Sequence, residues 1–241
     1  MRFLNLILIG IVSLASCQST PQKPVLSLNV EESTYSNFDS VTTKHLEWKA
    51  EVDFEKKQIR GTATWTFSNP THSNYIRFDS YDLAVSKVTV NGKETKFFTG
   101  EFNEEYGSAL AIPITDNDSM LSIEYSTGPK AKALQWLAPA QTAGKVKPFL
   151  FTQCESIQAR SLLPCQDAPA IRITYNAQLQ VPKGMLALMS AKNPTKKNAE
   201  GKYSFEMEIP IPSYLIALAI GDMEYKTIDK RSDVYTEPVL L

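Results

Sequence analysis

The sequence predicts an all-β protein whose strands form more than one sheet. Apolar and polar residues alternate with period two through Leu46–Phe54, Ile59–Phe67, Ile171–Val181 and Tyr203–Ile211, the pattern of strands that bury one face. Asn91-Gly92 follows Val88-Thr89-Val90, the strongest short signal for a hairpin. No comparably long stretch holds helical spacing.

Taken in order, the chain begins with Arg2 and a short apolar run, Phe3–Val12. That run is shorter than the roughly 20 residues that span a bilayer core, and residues 1–16 read as a signal peptide. Leu14-Ala15-Ser16-Cys17 resembles the lipobox of bacterial lipoproteins. The resemblance implies lipidation at Cys17, export, and a protein anchored to a membrane by its acyl chains, each buried methylene contributing about 0.8 kcal/mol. Residues 17–40, rich in Ser, Thr, Pro, Lys and Asn, are expected to form a lipidated tether. The 25 basic and 26 acidic side chains leave a net charge of −1 with no basic block, so nucleic acid is not an expected partner.

The body, residues 41–234, is expected to be one β domain. Leu46, Trp48, Ala50, Val52 and Phe54 alternate with polar residues, Lys56-Lys57-Gln58 turns the chain, and Ile59, Gly61, Ala63, Trp65 and Phe67 return. These two runs predict a hairpin. Leu121, Ile123 and Tyr125 predict another strand, and Ile171–Val181 and Tyr203–Ile211 predict two long ones. Tyr214–Ile220 is continuously apolar and is expected as a strand covered on both faces.

One stretch breaks the alternation: Phe151-Thr-Gln-Cys-Glu-Ser-Ile-Gln-Ala-Arg-Ser-Leu-Leu-Pro-Cys-Gln-Asp-Ala-Pro169. Phe149–Thr152 can finish a strand, and residues just past a strand end often face a cleft while the strand holds them. There Glu155 has two uses. It can pair with Arg160 and fix a bend, the reading that elementary electrostatics favours. It can instead accept charge-assisted hydrogen bonds from an ammonium group, with Gln153 beside it as a neutral acceptor. Pro164, Asp167 and Pro169 read as turn residues, the aspartate bonding the backbone just beyond it. Cys154 and Cys165 remain as a pair that either bridges or stays as buried thiols.

Ala133-Leu-Gln-Trp-Leu137, Gln141-Thr-Ala-Gly-Lys145, Phe151-Thr-Gln-Cys-Glu155 and Leu163-Pro-Cys-Gln-Asp167 resemble, in that order, the N-terminal domain of leukotriene-A hydrolase and its aminopeptidase relatives. Pro182–Ala191 and Ile209–Ile220 continue the resemblance, which covers about Thr43 to Val234. It implies a saddle-like domain of several mixed and antiparallel sheets that packs against a zinc domain. It also implies that Gln153 and Glu155 bind the N-terminal amine of a peptide, and that Cys154 and Cys165 need no disulfide. The expected activity is that of a zinc aminopeptidase removing N-terminal residues from peptides, with residues 235–241 beginning a linker toward a catalytic domain outside this chain.

The family's chemistry uses His-Glu-x-x-His, two histidines one helical turn apart with a glutamate that activates zinc-bound water. The chain has two histidines, and His45-Leu46 and His72-Ser73 do not begin that motif. Zinc ligands are therefore expected outside these residues, and the chain alone is expected to be inactive. Gly221-Asp-Met-Glu-Tyr225 resembles a second amine-binding motif of the family, but it directly follows the apolar run Tyr214–Ile220 and is expected to be a strand end. The alternative function is a non-catalytic lipoprotein β domain that binds a peptide or a partner protein.

Overall fold

The computed structural model describes residue 24, residues 26–30 and residues 33–241. The expected signal at residues 1–16 and the expected lipidation site Cys17 lie outside the described residues. The regular structure of the described residues is almost wholly strand, in four sheets.

The largest sheet contains β1 (Thr42–Asp53), β2 (Gln58–Ser68), β4 (Leu83–Val90), β5 (Lys93–Glu94), β8 (Met120–Thr127), β11 (Arg172–Gln180) and β13 (Lys202–Pro212), in the order β13-β11-β1-β2-β8-β4-β5. The first hairpin forms as the alternation predicts, with Leu46 opposite Trp65 and Trp48 opposite Ala63. Asp53 closes its turn, Oδ1 accepting from the amides of Glu55 at 3.0 Å and Lys56 at 2.9 Å. The hairpin from β4 to β5 turns on Asn91 and Gly92, whose φ of 46° and 79° are the paired positive values of the tight turn that this dipeptide favours. β11 lies parallel to β1, which makes the sheet mixed. Its inner face buries Leu46, Trp48, Ile59, Trp65, Leu121, Ile123, Tyr175 and Leu179. The buried indoles keep their donors satisfied: Trp48 Nε1 donates to the Tyr125 hydroxyl at 3.0 Å and Trp65 Nε1 to the Pro164 carbonyl at 3.1 Å.

A three-stranded sheet contains β3 (Tyr75–Ser80), β6 (Phe98–Thr99) and β7 (Ser108–Pro113). A four-stranded sheet contains β9 (Leu134–Leu137), β10 (Phe149–Thr152), β12 (Leu186–Met189) and β14 (Leu218–Gly221), in the order β12-β14-β10-β9. A last ribbon pairs β15 (Glu224–Thr227) with β16 (Asp233–Thr236).

Two expectations are corrected. The apolar run Tyr214–Ile220 is not one strand: Ser213–Leu215 forms a 3-10 turn and only its end enters β14. The Ser213 hydroxyl donates to Asp167 Oδ1 at 2.5 Å, holding the chain in the turn and leaving Leu215 48% exposed. The tether expected to reach residue 40 ends earlier, because Thr34, Tyr35 and Ser36 are buried in the body. Asn37 then pairs with the outer edge of β3, its amide donating to the Tyr75 carbonyl at 2.9 Å and accepting from the Arg77 amide at 2.8 Å.

Gly221 shows how closely the four-stranded sheet is packed. A Cβ there would lie 2.2 Å from Cδ2 of Phe149. Gly221→Ala is expected to lose about 1–3 kcal/mol through overpacking. Adding Phe149→Leu should return part of that loss, and urea midpoints of the two variants check it.

Candidate functional site

The irregular stretch after β10 lies where the sheets meet. β10 is a central strand, and its end is carried on by the Gln153 amide, which donates to the Ala133 carbonyl at 2.9 Å. Alternation persists for three more residues: Gln153 and Glu155 are exposed on either side of Cys154, which is buried. The Gln158 amide donates back to the Cys154 carbonyl at 2.8 Å and closes a turn. Ser161 locks it from below, its hydroxyl donating to the Gln158 carbonyl at 2.8 Å while Oγ accepts from the Ala133 amide at 2.8 Å. Gln153 and Glu155 are thus brought together on an anchored turn.

Glu155 does not pair with Arg160, the alternative that the sequence left open. Arg160 points inward, at 1% side-chain exposure, and its donors are taken elsewhere. Nε lies 3.1 Å from Asp167 Oδ2 and Nη1 lies 3.7 Å from Asp79 Oδ1. Nη1 also donates to the Tyr106 carbonyl at 2.9 Å, and Nη2 to the carbonyls of Ser33 at 2.8 Å and Asp167 at 3.2 Å. Burial works against the guanidinium charge, but the two carboxylates outweigh it and raise the Arg160 pKa. Burial raises the pKa of Asp167, against the pull of Arg160 and of the Ser213 hydroxyl.

Asp167 is therefore not the turn residue expected from the sequence. Its carboxylate reaches back seven residues to the Arg160 amide and side chain. The neighbouring Gln166 amide imitates a strand, accepting from the Thr43 amide at 2.9 Å and donating to the Val41 carbonyl at 2.8 Å. Cys165 makes a two-way backbone bridge with Asp79. In four residues, Pro164 to Asp167, the chain bonds to the seven-stranded sheet, the three-stranded sheet and the turn after β13. Sequence reasoning missed this role, and also missed Asp79. The usable signal was a polar cluster, Gln166-Asp167, set between apolar residues and prolines.

Cys154 and Cys165 are free and buried. Burial, with help from the Asp167 charge, pushes the Cys154 thiol up to about 12, and burial likewise raises Cys165. Gly221 ends β14, Met223 is buried and Glu224 opens β15, so Gly221–Tyr225 is a strand end followed by a new strand. A separate open groove of about 770 Å³ lies on the outer face of the seven-stranded sheet, lined by Lys49, Arg60, Glu124, Gln178 and Lys202. It does not include Gln153 or Glu155.

Among the described residues, no group of three or more His, Cys, Asp or Glu is placed to hold a metal ion. His45 bonds Thr174 Oγ1 on the neighbouring β11 at 2.7 Å and Glu47 on its own strand at 3.0 Å, and His72 faces Asp116 on the surface. These residues do not fit a zinc site.

The sheets and the loop define a β domain of the peptidase type, and residues 42–215 match the Peptidase M1 N-terminal domain. The chain belongs to that family. It is 36% identical over 222 residues to leukotriene A-4 hydrolase of Xenopus laevis, covering 88% of this chain and 36% of that protein. It is 35% identical to leucine aminopeptidase 2 of Yarrowia lipolytica, covering 86% and 32%. The chain thus spans about a third of the length of these curated relatives. Native leukotriene A4 hydrolase of Saccharomyces cerevisiae superposes with a TM-score of 0.79 at 34% identity, over 87% of this chain and 33% of that one. An M1 zinc metallopeptidase of Deinococcus radiodurans shares the fold at 19% identity and a TM-score of 0.63, over 81% and 46%. Zinc is the metal that family membership implies for a whole enzyme.

Proposed function

We propose that this chain is the substrate-amine end of a zinc aminopeptidase that removes N-terminal residues from peptides, and that it is exported and anchored through Cys17. The observation that carries the reading is the pair Gln153 and Glu155, exposed on an anchored turn with the Arg160 guanidinium committed to other partners. Among the described residues the Glu155 carboxylate has no ion pair. A peptide's terminal ammonium has three donors. The Glu155 carboxylate can take one with charge assistance, and the Gln153 side-chain carbonyl can take a second. An internal peptide bond offers no ammonium, so such a site selects chain ends. The chemistry of peptide-bond cleavage belongs to a zinc-bearing part of the enzyme. The work of this chain is to hold the amine and so set the register of the first residue.

The test is an NMR titration of the chain with alanine anilide and with its N-acetyl form. Shifts at the Gln153 and Glu155 amides are expected only with the free amine, with a Kd of roughly tens of millimolar, the range of one charge-assisted hydrogen bond. Glu155→Gln should abolish them. Equal shifts with the acetylated compound would overturn the amine reading. No anilide hydrolysis is expected with or without added zinc.

A further inference from the structure

The three elements around Arg160 are joined by a fourth, the segment that enters the body from the N-terminal side. Thr34 is fully buried, and its hydroxyl donates to Asp79 Oδ2. The Tyr35 amide donates to Asp79 Oδ1 at 2.6 Å, and the Asp167 amide to Asp79 Oδ2 at 3.0 Å. Ser33 offers its carbonyl to Arg160 Nη2 at 2.8 Å. Asp79 therefore takes hydrogen bonds from two parts of the chain and faces Arg160 besides. Two of those bonds, and one of Arg160's, come from residues 33–35. Arg160 belongs to the 3-10 turn Ala159–Ser161, which directly follows the Glu155 turn and shares Ser161 with its anchor.

We propose that Asp79 and Arg160 are positioning residues for the Gln153–Glu155 turn, and that residues 33–37 are a strap that completes them. This rests on the reading of that turn as the amine site. Without the strap, two donors leave Asp79 and one acceptor leaves Arg160, in a region where unmet polar groups are costly. The segment that bonds them is the 3-10 turn and, through it, Glu155. Residues within the last part of the expected tether would thus be part of the site's support, so that attachment to a surface and shaping of the turn share one stretch of chain.

Hydrogen exchange read by mass spectrometry on the full 241-residue chain tests this, because local opening shows as faster exchange confined to one segment. In Thr34→Val, which keeps shape and removes the hydroxyl, exchange across residues 153–162 is expected to quicken at least tenfold. Residues 46–53 and 59–67 should change less than twofold. Asp79→Asn should give the same pattern, and Thr34→Ser, which restores the hydroxyl, should return exchange to the parent rate. Equal acceleration in all segments, or no change at residues 153–162, would overturn the proposal. Glu155→Gln should leave exchange untouched. Failure of the amine titration with this exchange pattern intact would therefore count against the amine site and not against the strap.

Discussion

Arg160→Met is expected to cost about 3–5 kcal/mol of stability, the usual penalty for leaving a buried charge without its partner. Against a typical total of about 5–15 kcal/mol, that is a large part of what keeps a domain folded. The methionine fills much of the same space, so the loss is electrostatic rather than a cavity. Asp167 would lose the cation that lies 3.1 Å from its carboxylate, and the carbonyls of Ser33 and Tyr106 would lose their donor. The pH dependence has a definite sign. In the parent, burial already raises the Asp167 pKa and Arg160 holds that rise back in part. Without Arg160 the pKa rises further, and the folded variant holds the proton on Asp167 more tightly than either the folded parent or the unfolded chain does. The variant's stability is then lost as pH rises through the folded pKa. The gap between parent and variant in urea unfolding should widen from pH 5 to pH 8. A gap below 1 kcal/mol, or one independent of pH, would remove the network from the account of stability.

The second large effect is alkaline. Cys154 is pushed from an ordinary 9.0 up to about 12, first by burial, and Cys165 is raised as well. Both thiols hold their protons more tightly folded than unfolded. Their contribution is complete below about pH 9 and is lost as pH climbs toward the folded value. The slope is up to about 1.4 kcal/mol per pH unit for each thiol. Cys154→Ala lowers stability at pH 8 by truncation, but its decline between pH 9 and pH 11 should be shallower than the parent's. Parallel declines would show that the thiol keeps contact with solvent. Iodoacetamide at pH 8 should label neither cysteine until denaturant is added, since the thiolate is the reactive form.

Period-two patterning made β1, β2, β8 and β11 legible, because each buries one face and exposes the other, and it made β13 legible as far as Met207; beyond that the pairing with β11 shifts register and Ile209 is 71% exposed, against the alternation. Asn91-Gly92 marked its hairpin because only residues that tolerate positive φ make that turn cheaply. β3 and β7 were not found. β7 is buried on both faces over Ser108–Ile112, so it carries no alternation to read. Tyr214–Ile220 misled for a related reason: a continuous apolar run tells of burial and not of backbone shape. At the site, Gln153 and Glu155 were found through their neighbours in the sequence. The partners of Arg160 were not, since Asp79 lies 81 residues before it and a buried ion pair leaves no local pattern. Thr34 to Ser36 look like any polar linker until the carboxylate that they serve is in view.

The parallel pairing of β1 with β11 also sets a timetable. His45 stands opposite Thr174, 129 residues later in the chain. A ribosome adding about 5–20 residues per second needs roughly 6–26 seconds to cover that distance. A first hairpin formed in that interval would have one edge unpaired, and an open strand edge is where wrong pairing begins. Closing so long a loop also slows folding relative to a chain of local contacts. A protein built this way gains from being held unfolded until its last long strands are made, a demand that passage across a membrane as an extended chain would meet without any further device.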